Sequence, residues 1–264
     1  MDIPPIALGL YTVFQHARAD FARTCAEVKR MGYQGVEMYG EPAQFPAELV
    51  RDTLAAQQLA LTGWHMEWKH LQPDTIENSI AFFRKAGLKT VIIPCLGGRW
   101  GVGHAPTEEC EARWEQYLER IEAVRARLAQ EDMRLGYHNH EHEFQLCYGG
   151  RRVFDILYTS MDPRVIMELD TGNAIEGGAD PVAICAGTNR AIFLHCKPYS
   201  RQHGFDVALG GGADANDWRR TVTAARGRCE WLIVESECSI SDEMENARQC
   251  IQGLKEKLAG KGEV

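Results

Sequence analysis

Short apolar runs alternate with longer segments of helical periodicity along the entire chain. Eight runs, at 6–11, 35–38, 60–65, 90–95, 134–139, 165–170, 192–197 and 231–235, have strand length and strand-like content. The intervening segments follow a 3.6-residue period. Phe21, Ala22, Cys25, Val28 and Met31 would share one helical face, with Gly32 placed to end that helix. Trp114, Tyr117, Leu118, Ile121, Val124 and Leu128 predict a longer helix, preceded by a start signal at 106–109. Asp180-Pro181 and Ser241-Asp242 read as two further helix starts. Strand-helix units of about 33 residues predict an α/β fold, a single (β/α)8 TIM barrel forming one domain over 1–264. A doubly wound sheet is the alternative. Against it, no G-x-G-x-x-G follows the first run, where Leu10-Tyr11-Thr12-Val13-Phe14 stands.

The apolar runs end in polar residues of a particular kind. Run 2 ends at Glu37, run 3 at His65, run 5 at His138 and His140, run 6 at Asp170, run 7 at His195 and Lys197, and run 8 at Glu235. In a barrel these ends share one rim, the face on which such folds carry chemistry. Asp, Glu and His converging from different strands form a mixed nitrogen and oxygen donor set. That set suits Mn2+, Co2+, Zn2+ or Mg2+ and disfavours copper(I) or iron–sulfur clusters. Without a cation, Asp170 and Glu235 side by side would repel, and one would hold a proton. Parity places His195 with Lys197, and His138 with His140, on common faces. Lys197 then either contacts a substrate oxygen or forms an ion pair with Glu168 or Glu235. Trp64, Trp68 and Trp100 flank the ends of runs 3 and 4, where an aromatic ring stacks on a sugar. Trp114, Trp218 and Trp231 read as packing residues. The glycine-rich stretch 97–104 reads as a lid over the mouth, and Gly210-Gly211-Gly212 as a turn.

Composition narrows the field. The 264 residues are 45% hydrophobic and 25% charged, which excludes a disordered or fibrous chain. The formal charge of −8, with no dense Lys/Arg run, argues against nucleic acid as a partner and for a small substrate. Nine cysteines without a C-x-x-C pair read as reduced thiols of a cytoplasmic protein. The start Met1-Asp2-Ile3-Pro4-Pro5 carries neither a basic nor an apolar leader, and no run approaches a membrane span.

At these residues the chain resembles the xylose isomerase-like TIM-barrel superfamily, in its sugar phosphate isomerase/epimerase branch. The matching stretches are Gly35-Val36-Glu37, the segment 136–144 (G-Y-H-N-H-E-H-E-F), Glu168-Leu169-Asp170-Thr171-Gly172-Asn173, Leu194-His195-Cys196-Lys197, Leu209-Gly210-Gly211-Gly212 and Ile233-Val234-Glu235. The resemblance implies one divalent metal, manganese first, with magnesium, cobalt or zinc as alternatives. Its ligands would be a carboxylate from strand 5 with Asp170, His195 and Glu235. Many relatives carry Glu near the position of His138, so Glu143 is assigned as the fourth ligand, with His138 or His140 as the alternatives.

The implied activity is isomerisation or epimerisation of a keto-sugar or polyol-derived substrate through an enediolate. Glu143 or Glu235 would move the proton, and Lys197 would stabilise the oxygen charge. Glu37, His65, His138, His140, Trp64 and Trp100 would bind substrate. The alternative is a metal-dependent dehydratase or lyase of inosose or 3-keto-glycoside type, with His65 or His140 as the leaving-group acid. An endonuclease IV-like activity and a non-catalytic binding barrel rank below these. Asn173 stands where a zinc-binding His would be expected of the former. The expected partner is a small carbohydrate, not a membrane or nucleic acid; homo-oligomers are common in the family.

Overall fold

The computed structural model describes residues 3–97, 110–239 and 242–260. Eight parallel strands close into a barrel: β1 (Ile6–Gly9), β2 (Gly35–Tyr39), β3 (Ala60–His65), β4 (Thr90–Ile93), β5 (Arg134–His138), β6 (Ile166–Asp170), β7 (Ile192–Cys196) and β8 (Cys229–Val234). They are ordered consecutively around the ring, and β8 pairs with β1. Each of the eight predicted runs forms one strand. β4, β6 and β7 are buried at every position because helices cover their outer side and the barrel interior their inner side.

Local chemistry sets the helix ends. Gly32 adopts φ +97°, a left-handed turn that a side chain would strain, and stops the helix Phe21–Met31. Asp180 accepts a hydrogen bond from the Val182 N–H ahead of Pro181, and Asp242 accepts from Met244 at the start of Glu243–Leu258. The long predicted helix forms as Glu111–Ala129; its start signal at 106–109 lies outside the described residues.

Most strand ends fall within one or two residues of expectation, and two of the shifts have a clear local form. β1 ends at Gly9, and Leu10–Val13 coil into a 3-10 turn. β4 ends at Ile93 because Pro94 has no N–H to continue the ladder. Between β5 and β6 the chain adds a short helix, His142–Gln145, and a hairpin of Cys147–Tyr148 with Arg151–Arg152, neither of which the periodicity predicts. No helix among the described residues is long and apolar enough to cross a membrane.

The described residues form two apolar cores. The larger fills the space between strands and helices. The smaller comprises Ala7, Ile92, Ile166, Phe193 and Ile233, inward-facing residues from five strands, and plugs the barrel below its polar end.

Candidate metal and proton-transfer site

Inward positions recur every second residue, so the strands carry the interior upward from that apolar plug. On β6 the sequence Ile166, Glu168, Asp170 changes from apolar to ionisable along one face; on β7 Phe193, His195 and Lys197 do the same. At the strands' C-terminal ends, Glu37, His65, His138, Glu168, Asp170, His195 and Glu235 are all buried within one cluster.

The cluster divides into two levels that share His195. In the outer level, Asp170, His195 and Glu235 bring ligand-type atoms within 4.8 Å of one another. His195 Nδ1 lies 3.2 Å from Glu235 Oε2 but is not aligned for a hydrogen bond. His138 Nε2 stands 3.8 Å from Asp170 Oδ2. In the inner level, His195 Nε2 lies 2.7 Å from Glu37 Oε2, and His138 Nδ1 lies 3.1 Å from Glu168 Oε2. His65 Nε2 reaches both carboxylates, at 2.7 Å from Glu168 and 3.1 Å from Glu37.

Asp170 is held by the residues that follow it. Its Oδ1 accepts the Asn173 N–H and caps the helix Thr171–Glu176. Asn139 fixes the backbone on both sides: its Oδ1 accepts the Asp170 N–H, and its Nδ2 donates to the Asp170 carbonyl. Asn173 Nδ2 donates to the Asn139 carbonyl, which ties the ends of β5 and β6 together. Asp170 Oδ2 is left buried and without a hydrogen-bond partner.

Lys197 Nζ sits 2.9 Å from Glu235 Oε1 and 2.6 Å from Glu237 Oε1, and 4.5 Å from the centre of the Phe205 ring. Thus Glu235 takes up the ion pair with one oxygen and faces His195 with the other.

Burial and neighbouring charge compete across the cluster. Burial pushes the Asp170 carboxyl up to about 7 despite Lys197 nearby. Burial, together with the Glu37 charge, does the same to Glu168. Burial opposes charge on His65 as well, but Glu37 and Glu168 outweigh it and raise the imidazole to about 10. Glu235 is held well below the usual carboxylate range: burial acts the other way, but Lys197 and His195 overcome it. His138 and His140 are kept neutral, chiefly by burial.

A divalent cation fits this donor set. Asp170 Oδ2 and His195 Nδ1 are both buried without a hydrogen-bond partner, and Glu235 adds a second carboxylate. Two oxygens and one nitrogen, with His138 Nε2 beside them, match Mn2+, Co2+, Zn2+ or Mg2+.

Two residues named from the sequence stand apart from the cluster. Glu143 does not join either level: it is fully buried, and its carboxylate accepts from Tyr137 Oη at 2.6 Å and from the His140 N–H at 2.8 Å. It braces the loop after β5. Trp64 does not face the site. As the neighbour of inward-facing His65 it points outward, packs edge-on against Phe82 and donates its indole N–H to the Gly40 carbonyl. Trp68 is largely buried and lies edge-on to Tyr117. Glu37 and His65 lie in the inner level, beneath the outer set. His140 is half-buried at the mouth, its ring centre 5.2 Å from that of His138. Trp100, and all but Gly97 of the stretch read as a lid, lie outside the described residues.

The roles of two residues escaped the sequence reading. Glu168, expected as an ion-pair partner of Lys197 and as part of the 168–173 motif, precedes Asp170 by two residues, shares its face and instead meets His65. Glu237, two residues after Glu235, takes the other side of Lys197.

The family model for the xylose isomerase-like TIM barrel matches residues 25–257. The chain belongs to that family. Among solved structures it resembles a sugar phosphate isomerase/epimerase from Parabacteroides distasonis ATCC 8503, at 19% identity and a TM-score of 0.74, covering 94% of this chain and 96% of that one. An L-ribulose 3-epimerase aligns at 14% identity and a TM-score of 0.72, over 98% of this chain and 96% of the other. D-allulose 3-epimerase from Methylomonas sp., solved with D-allulose, gives 14% identity and a TM-score of 0.68 over 97% of both chains. At these identities the likeness establishes the shared fold. No curated protein matches the chain.

Proposed function

We propose that this family member is a metal-dependent sugar isomerase or epimerase that moves a proton next to a carbonyl. The observation that carries the reading is the outer level, where Asp170, His195 and Glu235 converge with an unpartnered carboxylate oxygen between them. The epimerase names of the structural neighbours support the same class. Asp170, His195 and Glu235 would hold the cation, with His138 Nε2 as the contribution from β5 in place of Glu143. Manganese is the first choice. A bound divalent cation supplies Lewis acidity toward the carbonyl and neighbouring hydroxyl oxygens of a keto-sugar.

The protein's own residues do the rest. Glu235 accepts the carbon-bound proton, since its lowered proton affinity keeps it ionised. Lys197, fixed by Glu235 and Glu237, presents positive charge to the oxygen on which negative charge develops. His140, neutral and at the mouth, is the second proton-handling group. The Lys197 charge is already matched by two carboxylates, which favours a neutral sugar over a phosphorylated one. The apolar plug closes the polar layer from below, leaving it open toward the rim among the described residues.

The test is proton exchange in D2O. Manganese-loaded protein incubated with a panel of ketoses and 3-keto-glucosides should place deuterium on a carbon beside the carbonyl of at least one member, read by NMR. Absence of exchange across the panel, with manganese bound, would contradict the reading.

A further inference from the structure

Resting on the metal assignment above, we infer that Glu37, His65 and Glu168 form a proton-holding layer that orients His138 and His195, so that Nε2 of His138 and Nδ1 of His195 face the cation. Each of these imidazoles spans the two levels. The nitrogen of His195 that points down is 2.7 Å from Glu37 Oε2, while its other nitrogen is 3.2 Å from Glu235 Oε2. The nitrogen of His138 that points down is 3.1 Å from Glu168 Oε2, while its other nitrogen is 3.8 Å from Asp170 Oδ2. A neutral imidazole has one bare nitrogen and one N–H. A carboxylate on the lower nitrogen places the proton there and leaves the upper lone pair for a metal.

His65 completes the layer by joining the two carboxylates through one nitrogen. Its ring lies nearly parallel to that of His195, at 17° and 5.4 Å, and the His138 ring meets His195 edge-on at 4.6 Å, so the three rings pack against one another. The backbone makes room for this arrangement. A Cβ on Gly63 would stand 2.7 Å from Glu37 Oε1, so a side chain there would push that carboxylate from its place beside the histidines.

His65, His138, Glu168 and His195 are also close enough to bind a cation themselves. Such an ion would compete for the lower nitrogens of both imidazoles, each of which already meets a carboxylate at hydrogen-bond distance. The geometry therefore favours protons at this level.

Two measurements test the inference. In zinc-loaded wild-type protein, long-range proton–nitrogen NMR should show His195 protonated at Nε2 and His138 at Nδ1, each with zinc-shifted resonances on the opposite nitrogen. Protonation of His195 at Nδ1, or loss of both lower protons, would overturn it. This readout needs no variant, so it stands even if substitutions in the layer fail to fold. In cobalt titrations, E37Q and E168Q should still bind one equivalent, with affinity lowered about 10- to 100-fold and with altered visible absorption. Unchanged affinity and spectrum would overturn the inference, as would two equivalents in wild type falling to one in E168Q. Failure of the underlying metal assignment looks different: wild type takes up no cobalt, or D170N and E235Q bind it normally.

Discussion

The lower and upper halves of the barrel interior are built from the same strands and obey opposite rules. Below, Ala7, Ile92, Ile166, Phe193 and Ile233 form a closed apolar plug. One alternation higher, Glu168 and His195 succeed Ile166 and Phe193, and they are equally inaccessible to solvent. An apolar side chain gains about 1.5–3 kcal/mol from such burial, whereas an ionisable one loses unless its charge is matched. In the upper half the charges are matched only by one another, across the ring. The lower half therefore supplies stability, and the upper half is maintained at a cost for the chemistry it permits.

Substitutions should separate the two halves. The largest effect is expected from E235Q, which removes a donor and the proton acceptor together; deuterium exchange should fall by about 10²- to 10⁴-fold while the urea midpoint moves little. F193A should do the reverse, costing about 3–5 kcal/mol in urea unfolding with manganese affinity of the folded protein preserved. In the upper half, H65L leaves Glu37 and Glu168 without their shared imidazole and should cost about 3–5 kcal/mol. Replacing all three by leucine (E37L/H65L/E168L) should recover most of that stability while metal affinity stays low.

Two glycines provide a finer comparison. A Cβ on Gly63 would press on the Glu37 carboxylate, and one on Gly136 would stand 2.5 Å from Ile92 Cδ1. Each alanine variant should cost about 1–3 kcal/mol, but only G63A should also weaken manganese binding. The smallest effect concerns thiols buried between the strands and the helices that cover them. Burial pushes the Cys25 and Cys185 thiols up to about 12 and raises Cys196 as well. A raised thiol stays protonated, and so unreactive, as pH rises through the ordinary range. At pH 9, iodoacetamide should label the exposed Cys110 and Cys147 rapidly and leave Cys25, Cys185 and Cys196 unmodified in folded protein, as read by peptide mass.

The strand ends were legible because a two-residue period makes each inward position readable from its neighbours. Asp170, His195 and Glu235 close apolar runs, and barrel closure brings them together. The same parity assigns Glu168 to the site and turns Trp64 away from it. Glu143 lay beyond parity, because after His138 the chain leaves the strand and coils into the helix His142–Gln145, where alternation no longer applies. Pairings such as His195 with Glu37, 158 residues apart, arise from ring closure and leave no local mark in the chain.

Where the cation sits can be read from anomalous diffraction at the manganese edge, using crystals soaked in manganese. One peak is expected in the outer level, with Asp170 Oδ2, His195 Nδ1, Glu235 Oε2 and His138 Nε2 as its nearest protein atoms. A sole peak among His65, Glu168 and His195 Nε2, or no peak in protein that catalyses exchange, would contradict it.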